Sequence, residues 1–300
     1  MSPLRTAWVI GATSVLGYGI VRTQAEDLRM IPWCSRHQRS ASTLGWRRID
    51  LEQPRDWAPL REERPDHLLY CGGVCNVARC EADPAFARAI NIEGVQAMLE
   101  ALPSQTRLTY CSSDHVFGGR TGPCTESTPP RPISEYGRMR IEAERLIAAA
   151  RPDAVIIRVG LPIGPSLSGR IGHLDWLRHR HLAGLPMTVI DGESRAAVLA
   201  DSAARRVVDL ACSELRGVRH LAATRVSPRP LLAAHLCAGL AIDRPRFEVI
   251  SRDALDVPHL GVVDLRTEYR DALASLLPSP LDRGCTAESW PATGWSALVD

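Results

Sequence analysis

A short apolar strand that runs directly into a glycine-rich turn is the feature that most constrains this chain. Ala7–Ile10 predicts a buried strand, and the sequence GATSVLG at residues 11–17 leads from it into a helix. Glycine lets a backbone approach an anion closely, and the N–H groups at a helix start point towards it. The motif therefore predicts a dinucleotide pyrophosphate site, or alternatively a tight turn without a ligand. The candidate contacts are Gly11, Thr13, Ser14, Val15, Leu16 and Gly17.

Apolar runs and helical patterns alternate along the first 160 residues. The further predicted strands are Met30–Cys34, Trp46–Ile49, Leu68–Cys71, Arg107–Cys111 and Ala154–Val159. The predicted helices between them include Pro84–Leu102 and Ser134–Ala150. Strands that alternate with helices form a parallel sheet covered on both faces. We therefore predict an α/β fold, a Rossmann-type doubly wound parallel sheet with a small, loop-rich C-terminal substrate region.

The rhythm of the sequence changes after Gly160 and predicts three regions. Residues 1–160 form the dinucleotide-binding domain, and residues 161–276 form a mixed substrate-binding and lid region with elements that return to the sheet. Within it, residues 160–187 are rich in Gly, Pro and His and predict a loop-rich lid, and helices are expected near 200–212 and 229–240. Residues 277–300 are expected to form a tail packed on the surface.

The chain contains no lysine, so all 36 basic residues are arginine. Arginine does not deprotonate in proteins, which excludes a mechanism that needs a neutral amine, such as a Schiff base. The net charge of +2 provides no global field for nucleic acid or an anionic membrane. We therefore expect a small-molecule substrate and no nucleic-acid or membrane partner.

Compartment and metal content are predicted from the cysteines and the N-terminus. The nine cysteines follow no regular framework, which favours reduced thiols, and the spacing of Cys71, Cys75 and Cys80 fits no zinc pattern. The N-terminus lacks the shape of a signal peptide, and no apolar run is long enough to span a membrane. These features predict a cytoplasmic protein without a metal, and a homodimer is compatible with them.

The residues after the second strand bear on which dinucleotide is bound. An acidic residue there binds the ribose 2′-hydroxyl of NAD, whereas this chain offers Arg36 and Arg39. Arginine suits a 2′-phosphate, so NADP(H) is expected more than NAD(H). Solvated surface arginines are the alternative interpretation in so arginine-rich a chain.

A serine, a tyrosine and an arginine form a second constellation. Tyr136 and Arg140 are four residues apart and share one face of a predicted helix. A cation beside a tyrosine stabilises the tyrosinate and makes it a better acid–base group. Ser113, at the carboxyl end of a central strand, could hold a substrate carbonyl oxygen. Together these side chains predict protonation of an alkoxide as hydride arrives.

These motifs resemble the extended short-chain dehydrogenase/reductases, most of all the dTDP-4-dehydrorhamnose reductase (sugar-nucleotide reductase) branch. The likeness covers roughly residues 5–240, and its most specific part is SSDHVFGG followed by YGRMR, within residues 112–140. It implies that Ser113 binds the carbonyl and Tyr136 is the acid. It also implies that Arg140 stands where the family has a lysine, which tunes the tyrosine and holds the cofactor ribose.

Further candidate site residues complete this prediction. For the cofactor, beside the turn and Arg36, they are Asp50, Leu51, Cys71, Gly72, Gly73, Tyr136 and Arg140. For the substrate they are Asp114, His115 and Arg195, of which Arg195 is the candidate for an anionic group because a guanidinium matches phosphate or carboxylate.

The chain departs from the family pattern at several positions. Arg140 replaces the lysine, Ser14 the second glycine, and His115 a tyrosine. Leu161 stands where the family often has a tryptophan of the sugar pocket. The departures leave three hypotheses open. The first is an NADP(H)-dependent reductase of a keto group on a nucleotide sugar or related small molecule. The second is a catalytically degenerate member that acts as a nucleotide-binding regulatory or scaffold protein, and the third an epimerase or dehydratase.

Overall fold

The segment before the glycine turn forms a central strand of a parallel sheet. The computed structural model describes residues 4–36, 44–118 and 122–282. Its strands are β1 (Arg5–Ile10), β2 (Leu28–Ser35), β3 (Arg47–Ile49), β4 (His67–Tyr70), β5 (Arg107–Ser113), β6 (Pro123–Cys124), β7 (Val155–Val159), β8 (Leu161–Ile163), β9 (Met187–Asp191), β10 (Ser194–Arg195), β11 (Ala197–Leu199), β12 (Gly217–Leu221), β13 (Ser227–Pro228), β14 (Phe247–Ser251) and β15 (Val262–Leu265).

Helices connect these strands. They are α1 (Val15–Arg22), α2 (Ala58–Glu63), α3 (Val77–Ala82), α4 (Pro84–Arg88), α5 (Gly94–Ala101), α6 (Glu135–Ala150), α7 (His173–Leu182), α8 (Ala200–Cys212) and α9 (Arg229–Gly239). The single helix predicted over Pro84–Leu102 is divided, because a turn of π-helix at Ala89–Glu93 separates α4 from α5.

Seven strands form the main sheet in the order β12-β7-β5-β4-β1-β2-β3, and every neighbouring pair is parallel. The predicted α/β fold with a doubly wound parallel sheet is confirmed. The chain builds outward from β1 through β2 to β3, then returns to build β4, β5 and β7 on the other side. Ligands of such sheets bind in the crevice at the carboxyl ends of the strands, where the order reverses.

Helices cover both faces of this sheet because both faces are apolar. On one face, Leu16 and Ile20 of α1 pack with Ala203 and Val207 of α8. The other face is covered by α2, α5 and α6, whose buried side chains include Leu60, Val95, Met98, Met139 and Ile147. Strands such as β4 and β7 are buried along their whole length, as is expected of a sheet with two covered faces.

The region after β7 is more ordered than its composition predicts. Residues 160–187 were expected to be rich in loops, but they include β8 and the ten-residue helix α7. Arginines and histidines make up much of α7, and its fully buried apolar side chains are Leu174 and Leu177, so its periodicity is weak. Those leucines join Leu232 and Leu236 of α9 in a third apolar cluster.

A buried ion pair fastens α6 to the sheet. Nε and Nη2 of Arg158, on β7, donate to the carboxylate of Glu144 on α6, with the shortest contact at 2.7 Å. The Ser112 hydroxyl on β5 donates to the same carboxylate at 2.5 Å. Glu144 and Arg158 are both almost fully buried. The pair therefore fixes the position of α6 relative to the ends of β5 and β7.

At the C-terminal end of the described chain, Leu277 bridges to Ala223. The rest of the predicted tail, residues 283–300, lies outside the described residues. Among the helices of the described ranges, none is long and apolar enough to cross a membrane.

We predict that Ser14→Ala lowers the free energy of unfolding by about 1 kcal/mol, since Ser14 caps α1 and its Oγ accepts from the N–H of Gly17 at 3.1 Å. Ser14→Gly is the matched variant and should cost only a few tenths of a kcal/mol, because glycine is tolerated at a helix start. Denaturant unfolding of both variants measures the difference. A Ser14→Ala variant as stable as wild type would show that the cap contributes nothing.

Candidate active site

The glycine turn is shaped by close backbone contacts. Gly11 has φ of +75°, and a Cβ placed on it would lie 2.6 Å from the carbonyl oxygen of Cys71. A Cβ on Gly17 would lie 2.3 Å from the carbonyl oxygen of Gly11. The Ser14 hydroxyl, in place of the family's second glycine, donates to the Gly11 carbonyl at 2.8 Å. The turn therefore keeps the close backbone packing that a pyrophosphate site needs, and the Ser14 side chain stabilises it with a hydrogen bond.

A segment of the second region lies against this turn. The N–H of Leu167 donates to the carbonyl of Thr13 at 3.4 Å, and a Cβ on Gly172 would lie 2.4 Å from Val15 Cγ2. The carboxylate of Asp175 holds the segment by accepting from the N–H and hydroxyl of Ser166. Thr13, Val15 and Leu16 are consequently almost buried. Residues 164–172 therefore lie directly against the turn for which the sequence predicts a pyrophosphate.

Four of the predicted cofactor residues lie near the carboxyl ends of β2, β3 and β4; they are Arg36, Asp50, Leu51 and Gly72. A Cβ on Gly72 would lie 3.1 Å from Leu51 Cδ1, which shows how closely these two segments pack. Arg36 lies at the end of this row, but its guanidinium makes two bonds to Asp56, at 2.8 and 2.6 Å. Asp56 also accepts from the N–H of Asp50 at 2.8 Å. Arg36 is half exposed, and its guanidinium already forms an ion pair with Asp56.

Arg39 lies outside the described residues.

The structure brings Ser113, Tyr136 and Arg140 together. Ser113 ends β5, and Tyr136 lies in the first turn of α6, whose start is capped by the Ser134 hydroxyl at 3.1 Å from the Gly137 nitrogen. The Arg140 guanidinium carbon lies 5.0 Å from the centre of the Tyr136 ring. Burial raises the pKa of Tyr136, while the charge of Arg140 and hydrogen bonds with Ser113 and Arg140 oppose that rise.

Arg140 is held by Tyr110, a residue that the sequence did not single out. Its Nη1 donates to the hydroxyl of Tyr110 at 2.7 Å. Gly73 has φ of +131°, and a Cβ there would lie 2.5 Å from Asn91 Oδ1 and 3.1 Å from Arg140 Nη2. The guanidinium thus occupies space that the missing side chain of Gly73 leaves open. Burial lowers the pKa of Arg140, but Tyr110 and Tyr136 hold it well above its ordinary value.

The predicted cofactor residue Cys71 has a thiol neighbour. Its Sγ lies 3.3 Å from Sγ of Cys111, at the ends of adjacent strands β4 and β5. This hydrogen bond, together with burial, raises the pKa of the Cys71 thiol well above its usual range. Cys71 is therefore a neutral thiol at neutral pH rather than a nucleophilic thiolate.

The three predicted substrate residues also lie together. The His115 ring meets the Tyr136 ring edge-on at 5.2 Å, and burial lowers the pKa of His115 well below its usual range. Arg195 donates from Nε to Asp114 Oδ2 at 2.8 Å and from Nη2 to Oδ1. Its Nη1 lies 3.7 Å from Glu193. The guanidinium expected to take an anionic substrate group is therefore bound to a buried carboxylate.

A second arginine near this cluster, Arg229, was not predicted from the sequence. Nη2 of Arg229, at the start of α9, lies 3.3 Å from Nδ1 of His173. Burial lowers the pKa of Arg229 to about 10, and the charges of Glu193, Arg195 and Asp114 also act on it. In the described ranges Arg229 forms no ion pair. One arginine among 36 carries no distinguishing signal in the sequence.

Comparisons with known proteins show the family of this chain. Residues 5–258 match the family described as RmlD substrate binding domain. A probable low-salt glycan biosynthesis reductase of Haloferax volcanii is 24% identical over 258 residues, 84% of this chain and 86% of that protein. Methionine adenosyltransferase 2 subunit beta of Xenopus tropicalis is 26% identical over 163 residues, 54% of this chain and 48% of that protein.

Solved structures share the fold. The dTDP-4-dehydrorhamnose reductase of Bacillus anthracis, solved in complex with NADP, superimposes with a TM-score of 0.78 at 16% identity. The match covers 93% of this chain and 96% of that one. The chain belongs to the RmlD substrate binding domain family, the dTDP-4-dehydrorhamnose reductase-like branch of the NAD(P)-dependent short-chain dehydrogenase/reductases that its motifs predicted.

Proposed function

We propose that the protein is an NADP(H)-dependent reductase of a keto group on a nucleotide sugar or a related small molecule. The observation that carries this proposal is the meeting of Ser113, Tyr136 and Arg140 at the carboxyl edge of the sheet, beside the glycine turn. The relatives named as reductases support the same class. We also propose the domain division at residue 160, with the second region forming the substrate side of the site.

The residues of the chain fit a nicotinamide dinucleotide. The turn at residues 11–17 offers N–H groups at the start of α1 to a pyrophosphate, and Gly11 and Gly17 allow the close backbone packing that shapes it. When bound, the reduced cofactor supplies the hydride. Arg140 would hold a ribose hydroxyl of such a ligand while its guanidinium stays beside Tyr136.

The side chains then handle the carbonyl oxygen. The Ser113 hydroxyl donates a hydrogen bond to that oxygen and orients it. As the carbonyl carbon gains a hydride, the oxygen takes the proton of the Tyr136 hydroxyl, and the product is an alcohol. The positive charge of Arg140 stabilises the tyrosinate left behind. Since a guanidinium does not release a proton, the tyrosinate recovers its proton from water or a ribose hydroxyl.

A regulatory or scaffold role is the second candidate function. It is favoured by the replacement of the family lysine with Arg140 and by the likeness to methionine adenosyltransferase 2 subunit beta. The reductase is preferred because Ser113 and Tyr136 remain together and Arg140 keeps a positive charge beside Tyr136. An epimerase or dehydratase on the same cofactor remains the third.

We expect Tyr136→Phe to abolish nearly all reductase activity, because the proton donor is lost, whereas Arg140→Lys should be tolerated or faster. Both residues keep a positive charge beside the tyrosine, and lysine restores the compact ammonium of the family. NADPH oxidation by wild type and the two variants, with a panel of keto nucleotide sugars, measures this. Wild-type activity in Tyr136→Phe would contradict the mechanism.

We propose that NADP(H) is preferred over NAD(H), with Arg36 shared between Asp56 and the 2′-phosphate. Arg36→Ala should then weaken NADPH binding about tenfold and leave NADH unchanged, since a charge-assisted bond is lost only with the phosphate. Asp56→Asn, which frees the fork, should tighten NADPH binding. Calorimetric titration measures both, and Arg88→Ala, an exposed arginine paired with Glu142, is the control. Equal effects on the two cofactors would remove the argument.

For the anionic group of the substrate, we propose that Arg195 positions Asp114 and that Arg229 provides the free charge. Arg229→Gln should raise KM for a nucleotide sugar by about 10- to 100-fold with little change in kcat, because a hydrogen bond to a charged group is lost in ground and transition states alike. Arg195→Gln should instead lower the free energy of unfolding, because it leaves a buried carboxylate unpaired. If Arg229→Gln leaves KM unchanged, this assignment is wrong.

A further inference from the structure

We propose that Tyr110 is a positioning residue of the acid–base site, which holds the Arg140 guanidinium beside Tyr136 and so sets the acidity of the Tyr136 phenol. Its role in catalysis rests on the proposed reductase function. Its effect on the Tyr136 pKa does not, because that effect is a property of the protein without substrate.

The first observation is the buried hydrogen bond. Tyr110 lies on β5 and is 0% exposed, and its hydroxyl accepts from Arg140 Nη1 at 2.7 Å. Burial raises the pKa of Tyr110, although the charge of Arg140 opposes that rise, so the phenol stays neutral. A neutral acceptor anchors the guanidinium without cancelling its charge. That charge therefore remains available to Tyr136.

The second observation is that one guanidinium serves two phenols. Its central carbon lies 5.8 Å from the centre of the Tyr110 ring and 5.0 Å from that of Tyr136. Nε of Arg140 is buried and has no hydrogen-bond partner within the described ranges. The bond from Nη1 to Tyr110 therefore helps to fix the direction of the guanidinium. Without it, Nη1 also becomes a buried, unpaired donor, which favours movement of the guanidinium away from Tyr136.

The third observation is the space around Nη2, the other terminal nitrogen of the Arg140 guanidinium. Gly73 has no side chain, and a Cβ there would lie 3.1 Å from Arg140 Nη2. The guanidinium therefore fits between a glycine on one side and the Tyr110 hydroxyl on the other. An ammonium is a compact group and does not need both features. The replacement of lysine by Arg140 is thus matched by its surroundings, and Tyr110 is the part that fixes its direction.

The chain provides a matched control in Tyr70. Its ring stacks on Tyr110 at 5.7 Å between centres, and it is almost completely buried. The Tyr70 hydroxyl has no hydrogen-bond partner among the described residues. Tyr70→Phe therefore removes the same atom from the same buried stack without touching Arg140. Any effect of packing alone appears equally in Tyr70→Phe and Tyr110→Phe.

The direct test is the titration of Tyr136 by fluorine NMR. The protein is labelled with difluorotyrosine, whose phenol titrates at lower pH than that of tyrosine. Because the chain has five tyrosines, the spectrum contains few signals. The signal that disappears in Tyr136→Phe is assigned to Tyr136. We expect Tyr110→Phe to raise the pKa of Tyr136 by about one unit, because part of the stabilisation by a nearby opposite charge is lost. Tyr70→Phe should leave it unchanged. An unchanged Tyr136 pKa in Tyr110→Phe, or equal shifts in both variants, overturns the proposal.

A kinetic experiment gives a second readout, since the reduction needs Tyr136 protonated and fails as pH rises through its pKa. Tyr110→Phe should lower kcat about tenfold and move the alkaline limb of its pH profile to higher pH.

A double variant provides a rescue experiment. When Arg140→Lys is added to Tyr110→Phe, kcat should be restored, because the lysine ammonium does not depend on the lost hydroxyl acceptor. If Tyr110→Phe alone folds poorly, the double variant still tests the proposal, because lysine leaves no guanidinium N–H unpaired. If Arg140→Lys changes kcat by the same factor in the wild-type protein and in Tyr110→Phe, the proposal is contradicted. If no substrate is ever turned over, the proposed function fails while the titration still decides the role of Tyr110.

Discussion

The guanidinium of Arg140 between two phenols is the contact on which the site depends. It brings together three segments that are distant in sequence: β5, which carries Tyr110 and Ser113, α6, which carries Tyr136, and the loop after β4, where Gly73 leaves room. A buried cation is costly unless polar groups face it. The two hydroxyls meet that need, and in the proposed reaction the same contact makes Tyr136 a better acid.

The fold supplies the precision that this contact requires. The parallel sheet places the carboxyl ends of β1, β4 and β5 side by side, so the glycine turn and Ser113 face the same crevice. Glu144, one helical turn beyond Arg140, is locked to Arg158 and Ser112 by buried hydrogen bonds. These bonds hold α6 in place on the sheet. Tyr136 and Arg140, four residues apart on one face of α6, therefore keep a fixed position relative to the end of β5.

The sequence predicted most of the framework because its signals are local. Most of the main-sheet strands are short apolar runs, the turn is a contiguous motif, and Tyr136 and Arg140 share a helix face. Other features depend on contacts between distant segments. The pairing of Arg36 with Asp56 and of Arg195 with Asp114 cannot be read from a chain with 36 arginines. Tyr110 looks like an ordinary apolar member of its strand, and α7 lacks the apolar stripe that marks a helix.

A crystal structure of the protein grown with NADP is the most direct measurement of the central claim. The account predicts the pyrophosphate over residues 11–17, with the nicotinamide ribose hydroxyls within hydrogen-bond distance of Tyr136 and of an Arg140 nitrogen that is not bonded to Tyr110. A structure at millimolar cofactor in which residues 164–172 still lie on the turn and no dinucleotide is bound would contradict it. So would a bound dinucleotide whose ribose makes no contact with Arg140.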